Sequence, residues 1–145
     1  ISGRMVNEDI KNLIPQRDPI MMVDKLIDVD GDVAVTSLTV RDDNYFIDED
    51  GLLAEPGFIE HIAQSASAFA GYRAMASGAV IPPVGYIGEV KKFHCYRRPH
   101  VDDELRTVIT MSTEIAGVTV ITGEIRLRDE IIADTQMKIF IEKNG

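Results

Sequence analysis

The stretch EPGFIEHIAQSASAFAGYR, Glu55–Arg73, decides the fold. Pro56 suits the first turn of a helix, and Gly78 suits the position just past its end. The spacing predicts a helix over Pro56–Ser77, roughly 30 Å long at 1.5 Å per residue. Its middle is built from small residues: Ser65, Ala66, Ser67, Ala68, Ala70 and Gly71. Such a surface lets a curved sheet approach closely. Two polar residues stand out near its start, because Glu60 and His61 sit side by side among apolar neighbours.

Outward from this helix the chain reads as β. On the N-terminal side, NEDIKNLIP predicts a short helix with Asn7 as N-cap and Pro15 as its stop. IMMVDKLIDVDGDVAVTSLTV then gives two β-rich runs around an Asp30–Gly31 turn, a hairpin pattern. RDDNYFIDEDG is a polar loop. After the helix, GAVIPP is a connection. Four strands follow: VGYIGEVKKFHCYRR, ELRTVITMSTEI, VTVITGEIRLR and EIIADTQMKIFIE, with tight turns at Ala116–Gly117 and Arg128–Asp129. One long helix among strands must bury its apolar face on the sheet they form. The expectation is a single α+β domain over residues 1–145, a curved antiparallel sheet wrapped around one central helix and closing in a meander. Met5 is read as the native start, with Ile1–Arg4 a cloning remnant.

A chain of 145 residues carrying a formal net charge of −9 disfavours nucleic acid and anionic membrane as main partners. No apolar run approaches the ~20 residues of a membrane span, and no signal peptide is visible. The single cysteine, Cys95, permits no intrachain disulfide and fits a cytoplasmic protein. It reads as a small packing residue. The three histidines lack ligand spacing, so no metal is expected. DVDGD resembles a calcium loop, but Val33 and Thr39 stand where such a loop needs glycine and glutamate. Ser65 and Ser67 read as packing residues without a nucleophile elbow.

On the residues alone, Glu60 reads as a partner of the helix dipole or as part of a hydrogen-bond network. His61 points about 100° away from it, so it reads as a packed or interface histidine unless the helix start is irregular or it reaches the site from a partner subunit. Asp48 and Glu49 could pair with Glu60 but read better as solvated loop acids. Lys91, Lys92, His94, Arg97, Arg98 and His100 make a basic band in an acidic chain. Alternation puts Lys91, Phe93, Cys95 and Arg97 on one face. The band reads equally as a docking edge for an acidic partner and as a lysine-protected edge strand.

IPQRDPIMMVDKLID resembles the opening of the β-hydroxyacyl-acyl carrier protein dehydratases through Pro15, Arg17, Pro19, Val23 and Asp24, with Lys25 in place of a final arginine. Glu60, Ala63 and Gln64 match that family's Glu-x-x-Ala-Gln on the helix, and YRRPHVDDEL is similar to its Arg-Pro strand entry. The resemblance covers nearly the whole chain and implies a hotdog fold. Where the family keeps a loop histidine before the helix, this chain has YFIDEDGLLAEPGFIE without one. In that respect it looks like the divergent dehydratase-like branch of aryl polyene-type lipid clusters.

The resemblance implies elimination of water from a 3-hydroxyacyl thioester carried on the phosphopantetheine of an acyl carrier protein. No cofactor is implied. The resemblance puts Glu60 at the catalytic site with Gln64 on the same motif; His61 is the second catalytic candidate, and Gly57, Gln64, Arg97 and Arg98 are the candidate substrate-binding residues. Two alternatives stay open: a hotdog acyl thioesterase using one helix carboxylate, and a non-catalytic subunit completing a heteromeric dehydratase. The implied assembly is a homodimer or a hetero-oligomer with a related hotdog subunit.

Overall fold

A computed structural model describes residues 4–80 and 84–142. In chain order it contains β1 (Arg4–Met5), a 3-10 turn (Ile10–Asn12), β2 (Lys25–Asp30), β3 (Val33–Thr39), α1 (Glu55–Ala76), β4 (Val84–Cys95), β5 (Glu104–Met111), β6 (Val118–Leu127) and β7 (Glu130–Glu142). The strands form one antiparallel sheet in the order β1-β2-β3-β5-β6-β7-β4. With one long helix packed on it, this is the hotdog fold.

The predicted helix is present within one residue at either end. It is buried on nearly all sides, with His61–Phe69 continuously inside, as expected of a helix wrapped by a sheet rather than resting on one. Phe58, Ile62 and Phe69 pack into a core with Leu105, Ile109, Ile121 and Ile125. Burying each such side chain is worth ~1.5–3 kcal/mol. Two glycines set the closest approaches. A Cβ on Gly123 would lie 2.8 Å from Ile62, so β6 meets the helix there. A Cβ on Gly71 would lie 2.2 Å from the Leu13 carbonyl oxygen, so at that point the helix meets the N-terminal segment and not the sheet.

Four expectations are corrected. The N-terminal helix is a single 3-10 turn whose N-cap is Asp9, bonded to the Lys11 N–H at 3.0 Å, and not Asn7. The hairpin turn falls at Gly31–Asp32, one residue later than expected, because Asp30 still pairs with Val33. The strands after the helix are not one continuous meander: β4 lies beyond β7 at the sheet edge, and β3 pairs with β5. The β2–β3 hairpin takes the edge of β5 that β4 would otherwise occupy. Finally, β4 does not alternate regularly. Bulges interrupt its pairing between Ile87 and Glu89 and between Lys91 and His94. Lys92, at φ 52°, is the extra residue of the second bulge. Lys91 therefore pairs with Gln136 while Cys95 pairs with Ala133, which separates Lys91 from the inward face of Phe93 and Cys95.

The turns at Ala116–Gly117 and Arg128 have positive φ as their positions require. Ile1–Gly3 and residues 81–83, which carry most of the expected remnant and the end of the GAVIPP connection, lie outside the described residues.

Candidate active site

The first turns of α1 present two stripes of polar side chains to different surroundings. Glu60 and Gln64 form one, His61 and Ser65 the other. Each pair is spaced i, i+4 and so shares a face.

The His61 stripe faces the sheet. His61 is fully buried. Its Nδ1 lies 2.6 Å from the Met22 carbonyl oxygen and its Nε2 lies 2.7 Å from Thr107 Oγ1. One turn later Ser65 Oγ meets Thr36 Oγ1 at 2.7 Å. Thr36 and Thr107 are opposite each other across β3 and β5, so adjacent strands satisfy the two buried polar groups side by side. Burial lowers the His61 pKa to about 4, only partly offset by the bond to Met22. The ring is neutral at ordinary pH.

The Glu60 stripe faces open space. Glu60 is half-buried and lies where two cavities meet. The wider, about 550 Å³, is mainly apolar and is lined by Phe46, Glu55, Pro56, Ile59, Val90 and Phe93 as well as Glu60. The narrower, about 190 Å³, runs between the helix and β4 past Gln16, Ala63, Ser67 and Tyr86. Gln64 Nε2 donates to Glu60 Oε1 at 2.8 Å and to the Ile20 carbonyl at 2.8 Å, while Gln64 Oε1 accepts from the Met22 N–H at 2.6 Å. Gln16 Oε1 is buried without a partner, which leaves an acceptor at the cavity for a ligand N–H or O–H.

The other expected site residues fall elsewhere. Gly57 is buried, its N–H donates to the Ala54 carbonyl at 2.9 Å, and a Cβ there would crowd Leu53 and Phe46 at 2.9 Å. Arg97 pairs with Glu130 at 3.1 Å. Arg98 binds the Asp48 carboxylate and donates to the Leu53 carbonyl at 2.8 Å. Asp48 also accepts from the Asp50 and Leu52 N–H groups, so it ties down its own loop and pairs with Arg98 instead of Glu60. Glu49 is exposed.

Part of the basic band is paired on the surface: His94 Nδ1 lies 2.9 Å from Asp134 Oδ1, and Lys91 Nζ lies 3.9 Å from Glu89. The Cys95 thiol is raised by burial, the opposite of an activated nucleophile. Among the described residues no cluster of ligating side chains could hold a metal, and no helix is long and apolar enough to cross a membrane. The opening motif is scaffolding: Arg17 gathers the carbonyls of Lys11, Ile14 and Gln16, and Asp24 accepts from the Thr39 N–H at 2.7 Å.

Sequence reasoning missed Gln16 and the cavity face of β4. The bulges that place Val90 and Phe93 leave no local signal beyond Gly88.

A family model for the ApeP dehydratases matches residues 8–144. The chain belongs to the ApeP-like dehydratase family. Among solved structures, it superposes on a chain of the ApeI:P dehydratase heterocomplex of Xenorhabdus doucetiae with a TM-score of 0.87 at 16% identity, covering 97% of this chain and 94% of that one. It also resembles Cj0977, a sigma28-regulated virulence protein of Campylobacter jejuni, with a TM-score of 0.68, 13% identity and coverage of 94% and 96%. The Escherichia coli PaaI protein, from the phenylacetic acid degradation operon, is similar with a TM-score of 0.62, 13% identity and coverage of 80% and 81%. At these identities the structural likenesses establish the fold alone. No curated protein sequence matches the chain.

Proposed function

We propose that this protein is the Glu60-bearing subunit of a 3-hydroxyacyl thioester dehydratase that works beside a related hotdog subunit. Elimination takes a proton from C2 and protonates the hydroxyl leaving C3, so that a C2–C3 double bond and water form. It therefore needs a base and an acid at one substrate. The observation that carries the reading is the Glu60 carboxyl, held by Gln64 at the junction of an apolar cavity and a narrow one. Among the described residues no histidine lines either cavity, so these residues offer one half of the usual pair.

The second group is assigned to the partner subunit. In support, β4 is an edge strand that exposes Tyr86, Ile87 and Val90 beside the cavity mouths. An unpaired edge with apolar side chains invites a second sheet. The heterocomplex formed by the structural relative supports the same arrangement.

The substrate is an acyl thioester on the phosphopantetheine of an acyl carrier protein, in the cytoplasm. Lys91, Lys92 and Arg97 on the exposed band are the residues proposed to meet that acidic carrier. Gln16 supplies a hydrogen-bond acceptor for the ligand in the narrow cavity.

The test is to offer a 3-hydroxyacyl thioester to the chain alone, and to the chain with an ApeI-type partner, following enoyl product and free thiol separately. Enoyl formation that depends on the partner supports the proposal. Thiol release without enoyl product makes the protein a thioesterase, a reading that one carboxylate at a helix start also accommodates.

A further inference from the structure

The buried polar groups behind Glu60 form a continuous chain whose donors and acceptors can all be assigned. The Met22 carbonyl can only accept, so His61 Nδ1 carries the proton and donates at 2.6 Å. Nε2 of the neutral ring is then a lone pair, and it accepts the Thr107 hydroxyl at 2.7 Å. On the other side of Met22, its N–H can only donate, and its partner at 2.6 Å is Gln64 Oε1. That fixes which end of the Gln64 amide is which. Gln64 Nε2 must donate, and it does so to the Ile20 carbonyl and to Glu60 Oε1. The order runs Thr107, His61, the Met22 backbone, Gln64, Glu60. No rotation of Gln64 preserves these bonds, and every member except Glu60 is fully buried or backbone.

We propose that His61 is a positioning residue for Glu60: by holding the Met22 backbone it fixes the Gln64 amide, which engages Glu60 Oε1 and leaves Oε2 to exchange a proton with the ligand. This rests on the reading of Glu60 as the reacting carboxyl. Any proton Glu60 carries must sit on Oε2, because Oε1 faces a donor. A buried, neutral ring suits this work, since it keeps one tautomer and does not gain charge in the working pH range. The lever is geometric: loosening Met22 frees the Gln64 amide to turn, and a turned amide presents its oxygen to Glu60.

The test uses the full chain with its partner subunit and compares wild type, His61→Asn and His61→Leu. The Asn amide nitrogen can take the place of Nδ1 and keep the bond to Met22, whereas Leu cannot. Two readouts are taken. The first is amide hydrogen exchange at Met22 and at the Gln64 side chain, which needs no activity. The second is kcat against KM for enoyl formation per folded molecule.

His61→Leu is expected to speed exchange at both groups by at least about tenfold and to lower kcat roughly 10- to 100-fold with KM little changed. His61→Asn is expected to recover most of both. If the Leu chain does not fold, Thr107→Val carries the same comparison with smaller changes of the same sign. Unchanged exchange in the variants overturns the coupling, whatever the activity. Faster exchange with unchanged kcat overturns the positioning role, provided that Glu60→Gln lowers turnover. If Glu60→Gln leaves turnover unchanged, the reading of Glu60 itself has failed, and the exchange data alone decide whether the chain of bonds exists.

Discussion

Glu60 and His61 are neighbours in sequence, yet they occupy opposite kinds of environment. On the sheet side of α1, His61 is enclosed, bonded at both ring nitrogens and held neutral by burial. On the cavity side, Glu60 has one oxygen engaged by Gln64 and stands where two cavities open. Titratable chemistry alone does not make a residue reactive. A group with every bond satisfied inside a core stabilises the fold, while a group that is half satisfied beside open space can act on a ligand. The 100° between adjacent helical residues is enough to separate these two roles.

The comparison can be pressed from the sheet side first. Gly71→Val would place a side chain against the Leu13 carbonyl, where even a Cβ comes within 2.2 Å. The expected loss is about 3 kcal/mol or more, read as a fall in the denaturant midpoint. A change of less than about 1 kcal/mol would mean that the helix and the N-terminal segment are not locked together.

Next comes pH. The His61 pKa falls from 6.5 to about 4 in the fold, and burial is the largest cause, with no charged neighbour contributing. Between these values the unfolded chain binds the proton and the folded one does not, so stability rises with pH across that window. As pH falls from about 6.5 towards 4, the fold should lose up to ~3 kcal/mol from this group. His61→Asn should flatten that part of the curve. An identical pH profile in the variant would place the ring in contact with solvent.

The smallest effect concerns the loop on the cavity side. Arg98→Ala removes the tie to Asp48 and the Leu53 carbonyl, and should cost about 1 kcal/mol. It should also increase protease cutting within 44–53. Arg97→Ala, whose ion pair is exposed, should cost less than ~0.5 kcal/mol. Equal effects from the two arginines would remove the distinction between a loop anchor and a surface charge.

The helix, β5, β6, β7 and both of their turns were legible in the sequence, because alternation and turn residues are local signals. The place of β4 was not. Its pairing with β7 is long-range, and its two bulges break the alternation by which faces are read. The resemblance pointed to Glu60 and Gln64, and the structure joins them by a hydrogen bond. His61 was read both ways, as a catalytic candidate beside Glu60 and as a packed or interface histidine. Its partners Met22 and Thr107 are 39 and 46 residues away, a distance over which no local pattern speaks. Arg98 looked like an exposed docking charge for the same reason: Asp48, which binds it, is 50 residues distant.

The most direct measurement sets Glu60→Gln beside Glu55→Gln. Both acids lie at the start of α1 and line the wide cavity, but among the described residues only Glu60 is held by Gln64. Enoyl formation is followed with the partner subunit present. The expected result is a loss of roughly 100-fold or more for Glu60→Gln, with the fold and assembly intact, and a change of less than about threefold for Glu55→Gln. A large loss on changing Glu55 with little on changing Glu60 would contradict the account and move the reacting carboxyl to the helix end.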